Sequence, residues 1–280
     1  MNKYLKWRNY LNFAKRKYLD IKYANSALKI VQTNFEGVEI LVRSNEDVGK
    51  EILLHRFEID ELRFLTQLLH DNSVILDVGA NIGLFSLLLA SKAKGIDVHA
   101  FEPIELNAHL IAISKQINCL NNITINQSCV GDTDGTVEFS VSSDSAYSSI
   151  IDSGRKKESA KIICPICRLD TYVQAANIQK IDFVKIDVEG AEKLVLTGAH
   201  AILTEHKLRP KILMIELYDL NLKQYDTSVK DIVQFMSGHD YAAYYLHGSN
   251  LLEFDPLLHA NKIYNVFFKS ITSANSTRIV

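Results

Sequence analysis

Along this chain, short runs of apolar residues alternate with longer stretches in which apolar positions return every three or four residues. Residues 74–78, 98–101, 123–128, 183–188 and 212–217 are runs of strand length. Between them, residues 82–93, 106–117 and 191–203 carry the spacing of helices with one buried face. Upstream, 37–43 alternates as a strand, and 59–69 reads as a helix leading into the series. Residues 137–141 and 161–167 read as an inserted pair of strands around a Ser-rich loop. Residues 241–246, 251–254 and 266–268 suit antiparallel strands that complete the sheet. Strands separated by helices of about ten to fifteen residues predict an α/β fold with a doubly wound, mostly parallel sheet of about seven strands, Rossmann-like in plan. On this reading residues 1–50 form an N-terminal helical and strand extension, and 51–280 the main domain.

The extension has a pattern of its own. Tyr4, Trp7, Leu11, Ala14 and Tyr18 recur at helical steps, among eight Lys/Arg against one acid, Asp20, in the first 31 residues. Such a helix either packs on its own domain with its lysines in water or lies on an anionic membrane face or a partner. Composition changes the picture little. Of 280 residues 47% are apolar and 23% charged, with a net charge of -2, a globular balance without the basic excess of a nucleic-acid binder. No apolar run reaches the roughly 20 residues of a membrane span, and the first residues lack the apolar centre of a secretory signal. A cytoplasmic, reduced protein is expected, peripheral at the inner membrane face where the basic helix of residues 1–31 docks there. No feature points to a particular oligomeric state. Cys119, Cys129, Cys164 and Cys167 then serve as small core residues. Cys164-Pro165-Ile166-Cys167 has the C-x-x-C form, but no second pair stands at zinc-finger spacing, and the two thiols leave opposite faces of a strand.

The candidate chemistry lies where the strands end. Asp77-Val78-Gly79-Ala80-Asn81-Ile82-Gly83 follows an apolar strand and opens an apolar helix, at the carboxyl edge where open α/β sheets bind ligands. Gly79 allows a close backbone approach to a ligand, and Asn81 tolerates a left-handed turn. A dinucleotide site would carry G-x-G-x-x-G for a pyrophosphate. That triplet is missing, which counts against a nicotinamide-dependent oxidoreductase, and Asp77 suits a ligand with a cation and hydroxyls, such as S-adenosylmethionine. Glu102, in Phe101-Glu102-Pro103 at the end of the next strand, is placed to accept the ribose 2′- and 3′-hydroxyls. After the third strand, Ser128 or Asp132 is placed for the adenine amino group, with a turn built by Asp132 and Asp134 as the equal alternative.

The fourth and fifth strands carry charge where a buried strand should not. Lys185, Asp187 and Glu189 are spaced by two and share a face, and Glu216 is a lone acid near the end of 212–217. Glu192, in the first turn of a helix, reads as structural. Asp77 to Gly83, Phe101-Glu102-Pro103, Leu169-Asp170-Thr171-Tyr172, Lys185 to Glu192 and Ile215-Glu216 occur here in order. Together they resemble the FkbM family of S-adenosylmethionine-dependent methyltransferases over residues 57–218, most specifically in the Lys185 to Glu192 block.

The resemblance implies a class I methyltransferase fold and methylation of a hydroxyl, often on a sugar or polyketide-type product. Cofactor contacts then fall to Asp77, Gly79, Ala80, Asn81, Gly83, Glu102, Pro103, Ser128 and Asp132. Lys185, Asp187, Glu189 and Glu216 line the reacting end, with Asp187 or Glu189 as general base or the acids together holding magnesium; both uses fit these residues. Acceptor choice is expected from the first 50 residues and the tail after Leu220, which lie outside the resemblance. A small-molecule or glycan acceptor is the expected partner, and a non-catalytic scaffold that binds S-adenosylmethionine or a glycan is the competing reading.

Overall fold

The computed structural model describes residues 17–19, 29–151, 155–259 and 262–271. All but 17–19 and 29–31 of the basic N-terminal segment lies outside them. The main sheet has eight strands in the order β12-β11-β13-β10-β9-β3-β4-β5. β3 (Val74–Val78), β4 (Asp97–Phe101), β5 (Ile123–Asn126), β9 (Phe183–Ile186) and β10 (Ile212–Leu217) run parallel; β13 (Tyr264–Ser270), β11 (Tyr241–His247) and β12 (Asn250–Glu253) extend the β10 side antiparallel. The sheet is thus mixed, with one strand more than the pattern suggested.

Alternation along each parallel strand decides which core a side chain joins. Ile75, Val98, Phe183, Met214 and Phe267 point to one face, where they meet helices α2 (Ile59–Leu68), α3 (Leu84–Ala90) and α4 (Glu105–Ile117). Leu76, Phe101, Val184, Leu213 and Phe268 point to the other, against α5 (Leu169–Ala175), α6 (Glu192–Thr197), α7 (His200–Thr204) and α9 (Val229–Ser237). Burial on both faces is why these strands read as continuous apolar runs. Each such side chain contributes about 1.5–3 kcal/mol of transfer free energy.

The hairpin β1 (Ile30–Phe35) and β2 (Val38–Arg43) belongs to the first core through Phe35, Val38, Ile40 and Val42. Side chains of α4 and of its C-cap hold the edge of this hairpin: Glu39 N donates to Asn118 Oδ1 at 2.9 Å and Leu41 N to Ser114 Oγ at 3.0 Å. The short α1 (Asp47–Leu53) follows, and α8 (Asp219–Leu222) and α10 (Pro256–His259) are single turns.

The single helix expected over 191–203 is two. They part at Gly198 and Ala199, and the close packing there requires glycine at 198, because a Cβ would lie 2.0 Å from the Gly131 carbonyl oxygen. Asp170 then caps α7, accepting from Ala201 N at 3.0 Å and Ile202 N at 3.2 Å. The inserted strands are β7 (Gly135–Ser142) and β8 (Glu158–Cys167), joined by a two-residue β6 (Cys129–Val130) in a separate three-stranded sheet. Among the described residues, no helix is long and apolar enough to cross a membrane.

Candidate active site

A cleft of about 220 Å³ opens at the carboxyl ends of β3, β4, β9 and β10. The turn after β3 forms its floor, and its two glycines are there for different reasons than a ligand. Gly79 has φ 78°, and a Cβ on it would lie 1.8 Å from the Asp187 carbonyl oxygen, so the close approach is to the chain after β9. Gly83 has φ 80°, and a Cβ would meet Ile111 at 2.7 Å; it packs α3 on α4 and is not on the cleft wall. Asn81 takes the left-handed φ of 51° that its side chain tolerates. Gly79, Ala80, Asn81 and Ile82 do line the cleft.

Asp77 does not. Its side chain shares the face of Ile75 and turns beneath the loop, where Oδ2 accepts from Ser86 N at 3.1 Å and Ser86 Oγ at 2.6 Å. Oδ1 is buried without a hydrogen-bond partner among the described residues. Burial lifts this carboxyl, against the opposing pull of Lys185 and the Ser86 bonds. Asp77 therefore anchors α3 to β3 and does not reach the cleft wall where a cofactor contact was expected of it.

Glu102 lies on the wall as expected, yet is largely engaged by the chain. Oε2 accepts from Asn81 N at 2.9 Å; Oε1 accepts from Ile104 N at 2.9 Å and Asn107 Nδ2 at 3.3 Å. Three of the roughly four acceptor positions of a carboxylate are taken, leaving one open on Oε2. Burial pushes Glu102 up to about 8, outweighing these hydrogen bonds. Pro103, Ser128 and Val130 continue the wall. Asp132 is exposed and away from the cleft, because β6 pairs with β8 and carries the following residues outward.

At the other end stand the charged residues of β9 and β10. Asp77 and Lys185 are neighbours across β3 and β9, so Lys185 rises from the same face. Its Nζ donates to Asp187 Oδ2 at 2.9 Å. Burial opposes the charge, but Asp187, Asp77 and Glu58 hold the ammonium above its usual range. β9 stops at Ile186, and Glu189 adopts a left-handed φ of 55°. That backbone aims Glu189 at Arg155, whose Nη1 donates to Oε2 at 2.7 Å, while Asn221 Nδ2 donates to the same oxygen. Burial and the nearby Asp187 push Glu189 up to about 8.

Glu216 is lifted well above the carboxylate range by burial, with Asp187 and Glu189 adding to it. Oxygens of Asp187, Glu189 and Glu216 lie within 4.8 Å of one another. Glu192 faces away and braces the turn, its Oε1 accepting from Gly190 N at 3.0 Å and Val188 N at 3.3 Å.

Sequence reasoning missed Glu58, Arg155, Tyr147 and Asn221. Glu58 and Arg155 line the cleft, and Arg155 lies over the Tyr147 ring at 4.3 Å. None sits in a recognisable motif; the one available signal was the Ser-rich loop, which the insert folds over the cleft as Ser145, Ala146, Tyr147 and Ser148. Val48 and Ile263 also line it, so the wall beyond the strands comes from the insert as well as from the flanking segments. The C-x-x-C cysteines part company: Cys164 Sγ sits 3.0 Å from Cys129 Sγ, while Cys167 faces the Cys129 carbonyl.

Residues 77–243 match the methyltransferase FkbM domain. The chain is 29% identical over 164 residues to the AMB antimetabolite synthetase AmbE of Pseudomonas aeruginosa, covering 45% of this chain and 8% of that protein. It is 25% identical over 231 residues to the 31-O-demethyl-FK506 methyltransferase FkbM of Streptomyces tacrolimicus, covering 71% of this chain and 81% of that one. Among solved structures, a SAM-dependent methyltransferase from Agrobacterium tumefaciens superposes with a TM-score of 0.49 at 12% identity, over 88% of this chain and 72% of that one.

Proposed function

Since this chain belongs to the methyltransferase FkbM family, we propose that it methylates a hydroxyl oxygen on a sugar, glycan or secondary-metabolite acceptor, using S-adenosylmethionine. The observation that carries the reading is the cleft's polarity: one buried carboxylate, Glu102, tied to the Asn81 turn at one end, and a cluster of carboxylates at the other. The residues present fit the cofactor. Glu102 Oε2 keeps an acceptor position for a ribose hydroxyl, Phe101, Ile104 and Val130 offer apolar walls to a base, and Ser128 a polar edge. S-adenosylmethionine would supply an electrophilic methyl group on its sulfonium.

The protein's own tasks are to place the acceptor oxygen and to take its proton. Glu189 suits the second. It lies on the wall, its backbone is held in a sparsely populated conformation, and burial gives it a basicity near neutral pH. Asn221 and Arg155 orient it, and Lys185 holds Asp187 beside it. The same carboxylates could supply oxygen ligands to magnesium. We favour the metal-free reading because Lys185 and Arg155 already set a cation against Asp187 and Glu189. Activity that persists in EDTA supports it; activity lost to EDTA and restored by magnesium refutes it.

The oxygen acceptor draws support from the Streptomyces relative, whose name records a 31-O-demethyl substrate. A non-catalytic scaffold is the weaker reading, since such a protein need not keep so many buried acids at one wall. Calorimetric titration of S-adenosylhomocysteine and of NAD tests the proposal. Binding of the first only, weakened at least about tenfold by Glu102→Ala, supports it. Binding of NAD alone, or of neither, removes it.

A further inference from the structure

Glu58 lies ahead of the domain matched over residues 77–243, at the residue preceding α2, and holds a left-handed φ of 43°. The fold brings it to the cleft wall beside Lys185 and Asp187. Oε1 accepts from Asn265 Nδ2 at 2.7 Å, a residue 207 positions away that stands opposite Glu216 across β10 and β13. Oε2 is buried and has no hydrogen-bond partner among the described residues. A buried carboxylate oxygen without a donor costs free energy that the remaining bonds of the site do not return.

Acids are concentrated in this part of the cleft. Among the described residues, four carboxylates line it (Glu58, Asp187, Glu189 and Glu216), and the cations beside them, Lys185 and Arg155, are paired with Asp187 and Glu189. Glu58 thus lines the cleft with one buried oxygen that no described residue satisfies. An ammonium group fits better than a divalent ion: one open oxygen can take one N–H, whereas magnesium demands a near-octahedral shell of oxygens.

Strand spacing says which ammonium. β9 lies two strands from β4, about 10 Å at the usual separation. A ligand whose ribose sits at Glu102 and whose chain crosses the Gly79 turn would bring its amino-acid end to Asp187 and Glu58. We propose that Glu58 is the receptor for the α-ammonium group of the cofactor, held in position by Asn265. The inference rests on the S-adenosylmethionine reading above. Burial raises Glu58 to about 7, so an arriving cation would also draw it into its charged form.

The test is calorimetric titration of the full chain with S-adenosylhomocysteine and with its desamino analogue, in which hydrogen replaces the amine. Wild type should bind the amine-bearing ligand at least about tenfold more tightly. Glu58→Gln keeps an oxygen for Asn265 but loses the charge; it should weaken S-adenosylhomocysteine about tenfold and change the desamino ligand by less than about twofold. Equal loss of both ligands would mark Glu58 as structural and overturn the proposal, as would no loss of either. If wild type itself binds both ligands equally, the subsite is overturned without any variant while the methyltransferase reading stands. Failure of wild type to bind either ligand overturns that reading and the subsite with it.

Discussion

Glu102 offers the most discriminating test of the cofactor end. Burial places it at about 8 in the free protein, so at pH 6.5 about 3% of it is ionised and at pH 8.5 about three quarters. A ribose hydroxyl must donate to it, and the open acceptor position on Oε2 serves best when the group is charged. Binding should therefore favour the ionised form, lower the pKa and release a proton. Taking the ionised form as the one that binds, affinity for S-adenosylhomocysteine should rise about 25-fold from pH 6.5 to 8.5, most steeply below pH 8.

The assay is calorimetry across that range in pairs of buffers with different ionisation enthalpies, which reports the proton count directly. Near pH 7 close to one proton per ligand should leave. Glu58 and Glu189, at about 7 and about 8, could imitate the slope, so Glu102→Gln assigns it. The variant has one oxygen where Asn81 N and Ile104 N each need an acceptor, so it should lose about 1–3 kcal/mol of stability and bind more weakly. Its affinity should keep only the shallower rise, about fourfold over the same range, that Glu58 at about 7 would contribute. A flat wild-type profile without proton release refutes the reasoning; a Gln variant that keeps the slope moves the proton to another group.

Three further outcomes follow from the same geometry. Glu189→Gln should lower kcat by about 10²–10⁴, the usual share of a general base, while S-adenosylhomocysteine still binds; an unchanged kcat would shift the role to Asp187 or Glu216. Gly79→Ala sets a Cβ 1.8 Å from the Asp187 carbonyl oxygen on a left-handed backbone. It should cost at least about 1–2 kcal/mol in urea unfolding, and a variant as stable as wild type would contradict the packing of that turn. Glu58, Glu102, Glu189 and Glu192 are all raised in the folded protein, to about 7 or about 8, so between pH 4.5 and 8 the native state holds protons that the unfolded chain has released. Their contribution to stability is complete below about pH 4.5 and is lost as pH rises through 7 and 8, so the unfolding midpoint should fall over that window; a rising midpoint would show these groups ionised in the native state.

The α/β plan was legible because burial on both faces leaves apolar runs at β3, β4, β9 and β10 that no solvated strand would carry. The strand ends likewise located Glu102 and Asp187, but the two-residue period that put Lys185, Asp187 and Glu189 on one face fails after Ile186, where β9 ends and Glu189 turns to a left-handed backbone. What period and spacing do not contain is which way a polar group turns once neighbours compete for it. Asp77 is drawn under the loop by Ser86, and Gly79 is demanded by a carbonyl arriving from another strand. Three of Glu102's acceptor positions go to the chain around it. Asp132 leaves the cleft because a two-residue strand pairs with the insert. Glu58 reaches the site only when β13 returns Asn265 beside it from 207 residues away. These are long-range contacts, and a local pattern records none of them. The sequence determined where charge would be costly, and the tertiary structure decided which groups are satisfied by the chain and which remain for a ligand, because that depends on donors brought from distant segments.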